Sequence, residues 1–81
     1  MEAALIEEVK AEINRALTKW GDIDKLPGEL LNAVTEELLE VVHAVNHREP
    51  ATKIHEEIIH AIGVLVRLDQ RIKEQYSYQN T

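Results

Sequence analysis

Ile54-His55-Glu56-Glu57-Ile58-Ile59-His60-Ala61-Ile62-Gly63-Val64-Leu65-Val66-Arg67-Leu68 decides how this chain folds. Apolar residues recur there at spacings of three and four, the period of an α-helix. One stripe, Ile54, Ile58, Ala61, Leu65 and Leu68, continues to Ile72, while Ile59, Ile62 and Val66 add a second apolar flank. A helix that is apolar on most sides is central, buried by more than two neighbours. Glu57 falls inside this apolar sector, where a carboxylate is costly unless a partner compensates for it.

Two further helices follow from the same periodicity. From Glu2 to about Lys19, the residues Ile6, Val9, Ile13, Leu17 and Trp20 make a single stripe. Gly21 to Gly28 breaks the pattern, with Gly and Pro as punctuation. From about Glu29 to His47, the stripe is Leu31, Val34, Leu38, Val41 and Val45, flanked by Leu30 and Val42. Arg48-Glu49-Pro50-Ala51 is the next break, and Pro50 suits a loop or a first helical turn. The third helix is expected over Thr52 to Gln75, with residues 76–81 frayed. The fold class is therefore all-α, one domain over residues 1–81. One chain supplies only two neighbours for the third helix, so a two-fold homodimer or a tetramer is expected to complete a larger bundle.

Composition narrows the function. At 81 residues the core is small, and help from a metal or from association is expected. There is no Cys, hence no disulfide framework and no thiolate ligand. Acidic residues outnumber basic ones fifteen to nine, for a net charge of −6. That balance argues against binding a nucleic-acid strand, which needs a basic footprint. A nucleotide stays possible, because a metal can bring phosphates to an acidic pocket. No apolar run approaches the ~18 residues that span a bilayer, and the amino-terminal segment lacks the basic start of a signal peptide. A cytoplasmic protein is the expectation.

The acidic residues sort by helical geometry. In Glu36-Glu37-Leu38-Leu39-Glu40, Glu37 lies beside the apolar stripe, Glu40 lies one turn on, and Glu36 points nearly opposite the core. Residues three apart are neighbours on a helix, so Glu37 and Glu40 can converge on one ion. Glu57 and His60 have the same spacing on the third helix. Together they would surround a cation with three carboxylates and an imidazole. Mg²⁺ wants oxygen ligands and keeps positions for water and phosphate oxygens. Glu36 could orient or deprotonate an attacking water, or be an ordinary surface glutamate. Alternatively the acidic run is a solvated face and Glu57 is ion-paired with Lys10, Arg15 or Arg67.

These residues resemble the all-α nucleoside triphosphate pyrophosphohydrolases, specifically their MazG-like branch. That branch carries EExxE on one helix and ExxD on the next, matched by Glu36-Glu37-Leu38-Leu39-Glu40 and Glu57-Ile58-Ile59-His60. It commonly has an Arg upstream of Lys-Trp-Gly, matched by Arg15 and Lys19-Trp20-Gly21. The similarity runs from about Arg15 to Leu68. It implies hydrolysis of nucleoside triphosphates to monophosphate and pyrophosphate, with Mg²⁺ or Mn²⁺, by a dimer or tetramer. Glu37, Glu40, Glu57 and His60 then match metal ligands, with Glu36 as catalytic residue and Arg15, Lys19 and Trp20 on the substrate. His60 stands where the family has Asp. Imidazole removes one negative charge and favours softer ions. With few residues after the third helix, the later helix that longer relatives use against the triphosphate is not expected within residues 1–81. A non-catalytic MazG-like oligomer retaining at most a metal or nucleotide site is therefore the alternative. A third reading, a pure helix-bundle interaction module, requires Glu57 to be satisfied by Arg or Lys.

The remaining polar residues carry weaker signals. His43 and His47, four apart, can chelate Zn²⁺ in principle, but without an obvious third ligand they read as surface histidines, as does His55. Trp20 covers the end of the core or forms a wall for a nucleobase. Arg67 and Arg71 follow His60 on one flank and could meet triphosphate oxygens or the acidic helix of a second subunit.

Overall fold

The computed structural model describes residues 2–20 and 26–76, without the side chains of Trp20 and Tyr76. Three helices follow in order: α1 (Ala3–Trp20), α2 (Pro27–Asn46) and α3 (Ala51–Tyr76). There is no strand among the described residues, and each helix end falls within two residues of its expected place. No helix is long and apolar enough to cross a membrane.

Local chemistry sets the boundaries. Pro27 opens α2 two residues before the expected start, because its fixed φ suits the first helical position. The Glu29 carboxylate accepts a hydrogen bond from the Leu26 N–H at 3.2 Å, satisfying a donor just ahead of the helix. At the other end the Glu49 N–H donates to the Ala44 carbonyl (2.9 Å) and the Arg48 N–H to the Val45 carbonyl (3.1 Å). This is a Schellman turn, with Arg48 at φ 54° in the left-handed region that usually takes Gly. The left-handed conformation costs an L-residue about 1–2 kcal/mol. Arg48→Gly is accordingly expected to raise stability by about 1 kcal/mol after the entropy of the unfolded glycine is counted. Urea denaturation checks this, and an unchanged midpoint would show that the turn is not strained.

α3 is central, as its sequence implies. It packs against both α1 and α2, whereas no described Cα of α1 lies within 8 Å of one in α2. The buried side of α1 follows expectation, with Val9 buried and Ile13 and Leu17 half-buried, although Ile6 is largely open. Trp20's expected place over the core lies outside the described side chains.

The α2 and α3 stripes need correction. On α2 the residues turned towards α3 are Leu30, Val34, Glu37, Val41 and Ala44, all buried or half-buried. Of the expected stripe, Val34 and Val41 are covered, whereas Leu31, Leu38 and Val45 lie open to solvent, each 50–56% exposed. On α3, Ile59, Ala61 and Gly63 are buried, while Ile58, Leu65 and Ile72 are 40–45% exposed. Each of these helices carries two apolar seams roughly 100° apart. Periodicity alone cannot say which seam a single chain covers. The three-helix arrangement is correspondingly open: its radius of gyration is 14.0 Å, against about 11.7 Å for an ordinary domain of this length.

Candidate metal centre

The covered seam of α2 includes Glu37, so the packing that holds α2 to α3 also aims a carboxylate at α3. There it meets Glu57 and His60, one helical turn apart. One ligating atom from each of Glu37, Glu57 and His60 lies within 4.8 Å of the others. His60 Nδ1 is 3.8 Å from Glu57 Oε2 and 3.9 Å from Glu37 Oε2. Bonds of 2.0–2.2 Å to a divalent ion would set donors about 3.0–3.4 Å apart. Modest side-chain movement therefore closes the group on a cation. No other trio of His, Asp or Glu converges in this way among the described residues.

A third helix adds a carboxylate that the sequence reading overlooked. Glu12 of α1 places Oε2 3.7 Å from His60 Nε2, so one imidazole stands among carboxylates from all three helices. Glu12 is anchored from behind by Arg15, whose Nε and Nη2 donate at 2.9 and 2.7 Å. Its position depends on Gly63: a Cβ there would lie only 3.1 Å from Glu12 Cγ. The lone glycine in the middle of an otherwise apolar α3 was the available signal that another helix crosses closely. Gly63→Val should therefore destabilise the fold by about 2 kcal/mol through overpacking. Helix propensity alone predicts the opposite sign. Thermal unfolding decides between them.

The electrostatics leave the centre short of positive charge. Burial pushes the Glu37 carboxyl above its ordinary value, and although His60 opposes this, Glu57, Glu40 and Glu12 push the same way as burial. Glu12 goes the other way, held low chiefly by the Arg15 hydrogen bond against the cost of burial. Glu57 is only 7% exposed. Its Oε1 meets Lys53 Nζ at 3.0 Å. The ion-pair partner is thus Lys53, one turn earlier on the same helix, rather than Lys10, Arg15 or Arg67. The Lys53 side chain is about half exposed and the Glu57 side chain nearly buried. The pair engages Oε1 and leaves Glu57 Oε2 3.8 Å from His60 Nδ1.

The other expected site residues divide. Glu40 is exposed and outside the converging trio. It lines a small cavity with His43, His47, Glu49, Lys53 and Glu57. Glu36 is exposed, as its helical angle implies, and borders a cavity of about 280 Å³ that also touches Glu37, His60, Arg15 and Arg67. Arg15 and Lys19 line a wider groove of about 730 Å³ beside Glu12, Glu37 and His60. Arg15 already carries the pair with Glu12. His55 is not simply solvated: its Nε2 lies 2.5 Å from Glu8 Oε2 and ties α3 to α1. Arg71 pairs with Glu74 at 3.0 Å.

Compared with protein-family models, with curated proteins and with solved structures, the chain gives no significant match in any of the three.

Proposed function

We propose that this chain is a metal-dependent nucleoside triphosphate pyrophosphohydrolase of the MazG-like type, acting as a homodimer or larger assembly. The observation that carries the reading is the convergence of Glu37, Glu57 and His60 from facing helices. The donor set fits a divalent cation: two carboxylates and one imidazole, with a surplus of negative charge around them. Glu37, Glu57 and His60 would hold the ion, with Glu40 one turn from Glu37 within reach of the same region. A bound divalent ion supplies charge neutralisation for phosphate oxygens and a lowered pKa for attacking water.

The chain's own groups have separate tasks. Glu36, on the cavity edge beside Glu37, can accept a proton from water. Arg15, Lys19 and Trp20 carry the substrate-binding role implied by the sequence resemblance, and Arg67 borders the same cavity as Glu36 and His60. Arg15 positions Glu12 as well. The open seams of Leu31, Leu38 and Val45 on α2, and of Ile58, Leu65 and Ile72 on α3, support association.

The second reading is a non-catalytic helical protein: Glu40 standing outside the trio favours an oligomer that keeps at most a reduced site, and the Lys53–Glu57 pair meets the condition for a pure helix-bundle interaction module. Pyrophosphate release from the common nucleoside triphosphates, with Mg²⁺ and Mn²⁺ in parallel, separates the two. The proposed enzyme releases pyrophosphate with at least one substrate. His60→Asp should keep or raise the Mg²⁺-dependent rate and weaken the preference for Mn²⁺, because a hard ion gains a charged oxygen ligand. Absence of turnover with every substrate and both metals would refute the enzyme reading. Equal activity and equal metal preference in wild type and His60→Asp would remove His60 from the coordination shell.

A further inference from the structure

We infer that the carboxyl-terminal end of α2 carries a second metal site, built on His43 and His47 with Glu49, for a borderline transition metal such as Zn²⁺. It uses different donors from the Glu37–Glu57–His60 centre, although Glu57 lies on the wall of its cavity, and it does not depend on the pyrophosphohydrolase reading.

His43 and His47 are four residues apart on one face of α2, the spacing at which two imidazoles on a helix chelate one ion. Their ring centroids are 6.2 Å apart with the planes at 85°. Both side chains are exposed, so rotation about their χ angles is free to bring two nitrogens onto one ion.

The structure supplies the third donor that sequence spacing did not reveal. The Schellman turn folds the chain back after Arg48, with the Glu49 N–H bonded to the Ala44 carbonyl at 2.9 Å. Glu49 thereby lines one cavity of about 110 Å³ with His43 and His47. A helix C-terminus also favours a cation through its dipole. Lys53 borders the same cavity and is the one competing positive charge there.

The donor sets assign the ions. Two imidazoles and one carboxylate favour Zn²⁺, Cu²⁺, Ni²⁺ or Co²⁺ over Mg²⁺. The Glu37 centre, with two carboxylates and one imidazole, is the harder site. Among the described residues only the Glu37 trio has its ligating atoms within 4.8 Å of one another. His43, His47 and Glu49 must therefore rotate about their χ angles to converge on an ion.

The test is a Zn²⁺ titration of the full chain, in excess Mg²⁺, followed by the NMR signals of the four histidine side chains. His43 and His47 should shift together and saturate at one Zn²⁺ per chain. His43→Gln and His47→Gln should each weaken binding by about 100-fold, the order of gain that a linked second donor supplies. Glu49→Gln should weaken it less, and His60→Gln should leave the two signals responding as before. Both substituted histidines are exposed, so circular dichroism should show the variants folded. The site is overturned if Zn²⁺ moves only His60, if either histidine variant binds as wild type does, or if saturation requires two chains per ion.

Discussion

Glu57→Gln is expected to abolish the thermal stabilisation that Mg²⁺ or Mn²⁺ confers on the wild-type chain. An ion that binds only the folded state at a hundredfold excess over its dissociation constant contributes about 2.7 kcal/mol. For a chain of this size that corresponds to a melting shift of about 10–20 °C. Metal-free Glu57→Gln should be at most slightly less stable than wild type, because the loss of the Lys53 pair is offset by removing a nearly buried carboxylate that repels Glu37. Lys53→Ala should strengthen metal binding by removing the competing cation. If metal-free Glu57→Gln and Lys53→Ala are both destabilised by much more than this, Glu57 is a structural ion-pair partner and the metal reading fails.

The same response depends on pH with a definite sign. Glu37 titrates above its ordinary 4.5, chiefly because it is buried. Its contribution to metal-free stability is thus full below that value and is lost as pH rises through the raised folded value. Glu12 works oppositely, stabilising above its ordinary 4.5 and losing that contribution as pH falls through its lowered folded value. Since a metal needs Glu37 ionised, the metal-induced shift should be larger at neutral pH than near pH 5. Glu37→Gln should remove that difference.

Association is the second large effect. Light scattering at micromolar concentration should give at least twice the 9.3 kDa chain mass. Leu38→Lys should weaken association by at least about 100-fold, because it places an unpaired charge in the open seam that association would bury. Leu38 is half exposed in the single chain, so the variant should keep its helical content. A folded wild-type monomer at that concentration would contradict the account.

Which parts of this were legible in the sequence follows from the physics of each signal. The three helices were, because periods of three and four persist over many turns and Gly and Pro interrupt them. The seam facing the core was legible only in part. Val34 and Val41 fit either row, but Leu31, Leu38 and Val45 repeat as regularly as Leu30 and Ala44, and the covered row hides its regularity because Glu37 sits in its middle. Glu37 is the α2 member of the candidate site. Glu57 and His60 were legible as an i, i+3 pair on an apolar helix. Glu12 was not, because its role arises only where α1 crosses Gly63, a long-range contact with no local pattern. Lys53 was not: Lys10 and Arg15 on α1 and Arg67 further along α3 were equally plausible partners for Glu57, and only the rotamers bring Lys53, one turn back on the same helix, to its carboxylate.

The central claim is that Glu37, Glu57 and His60 form one divalent-cation centre, and electron paramagnetic resonance of Mn²⁺ tests it most directly. Free Mn²⁺ gives a sharp signal that is lost on binding, so titration counts the bound ions. The account predicts one Mn²⁺ held per wild-type chain, displaced by Mg²⁺, with binding lost in Glu37→Gln and in Glu57→Gln. Equal Mn²⁺ binding by the wild type and both variants, or no binding by any of them, would contradict it.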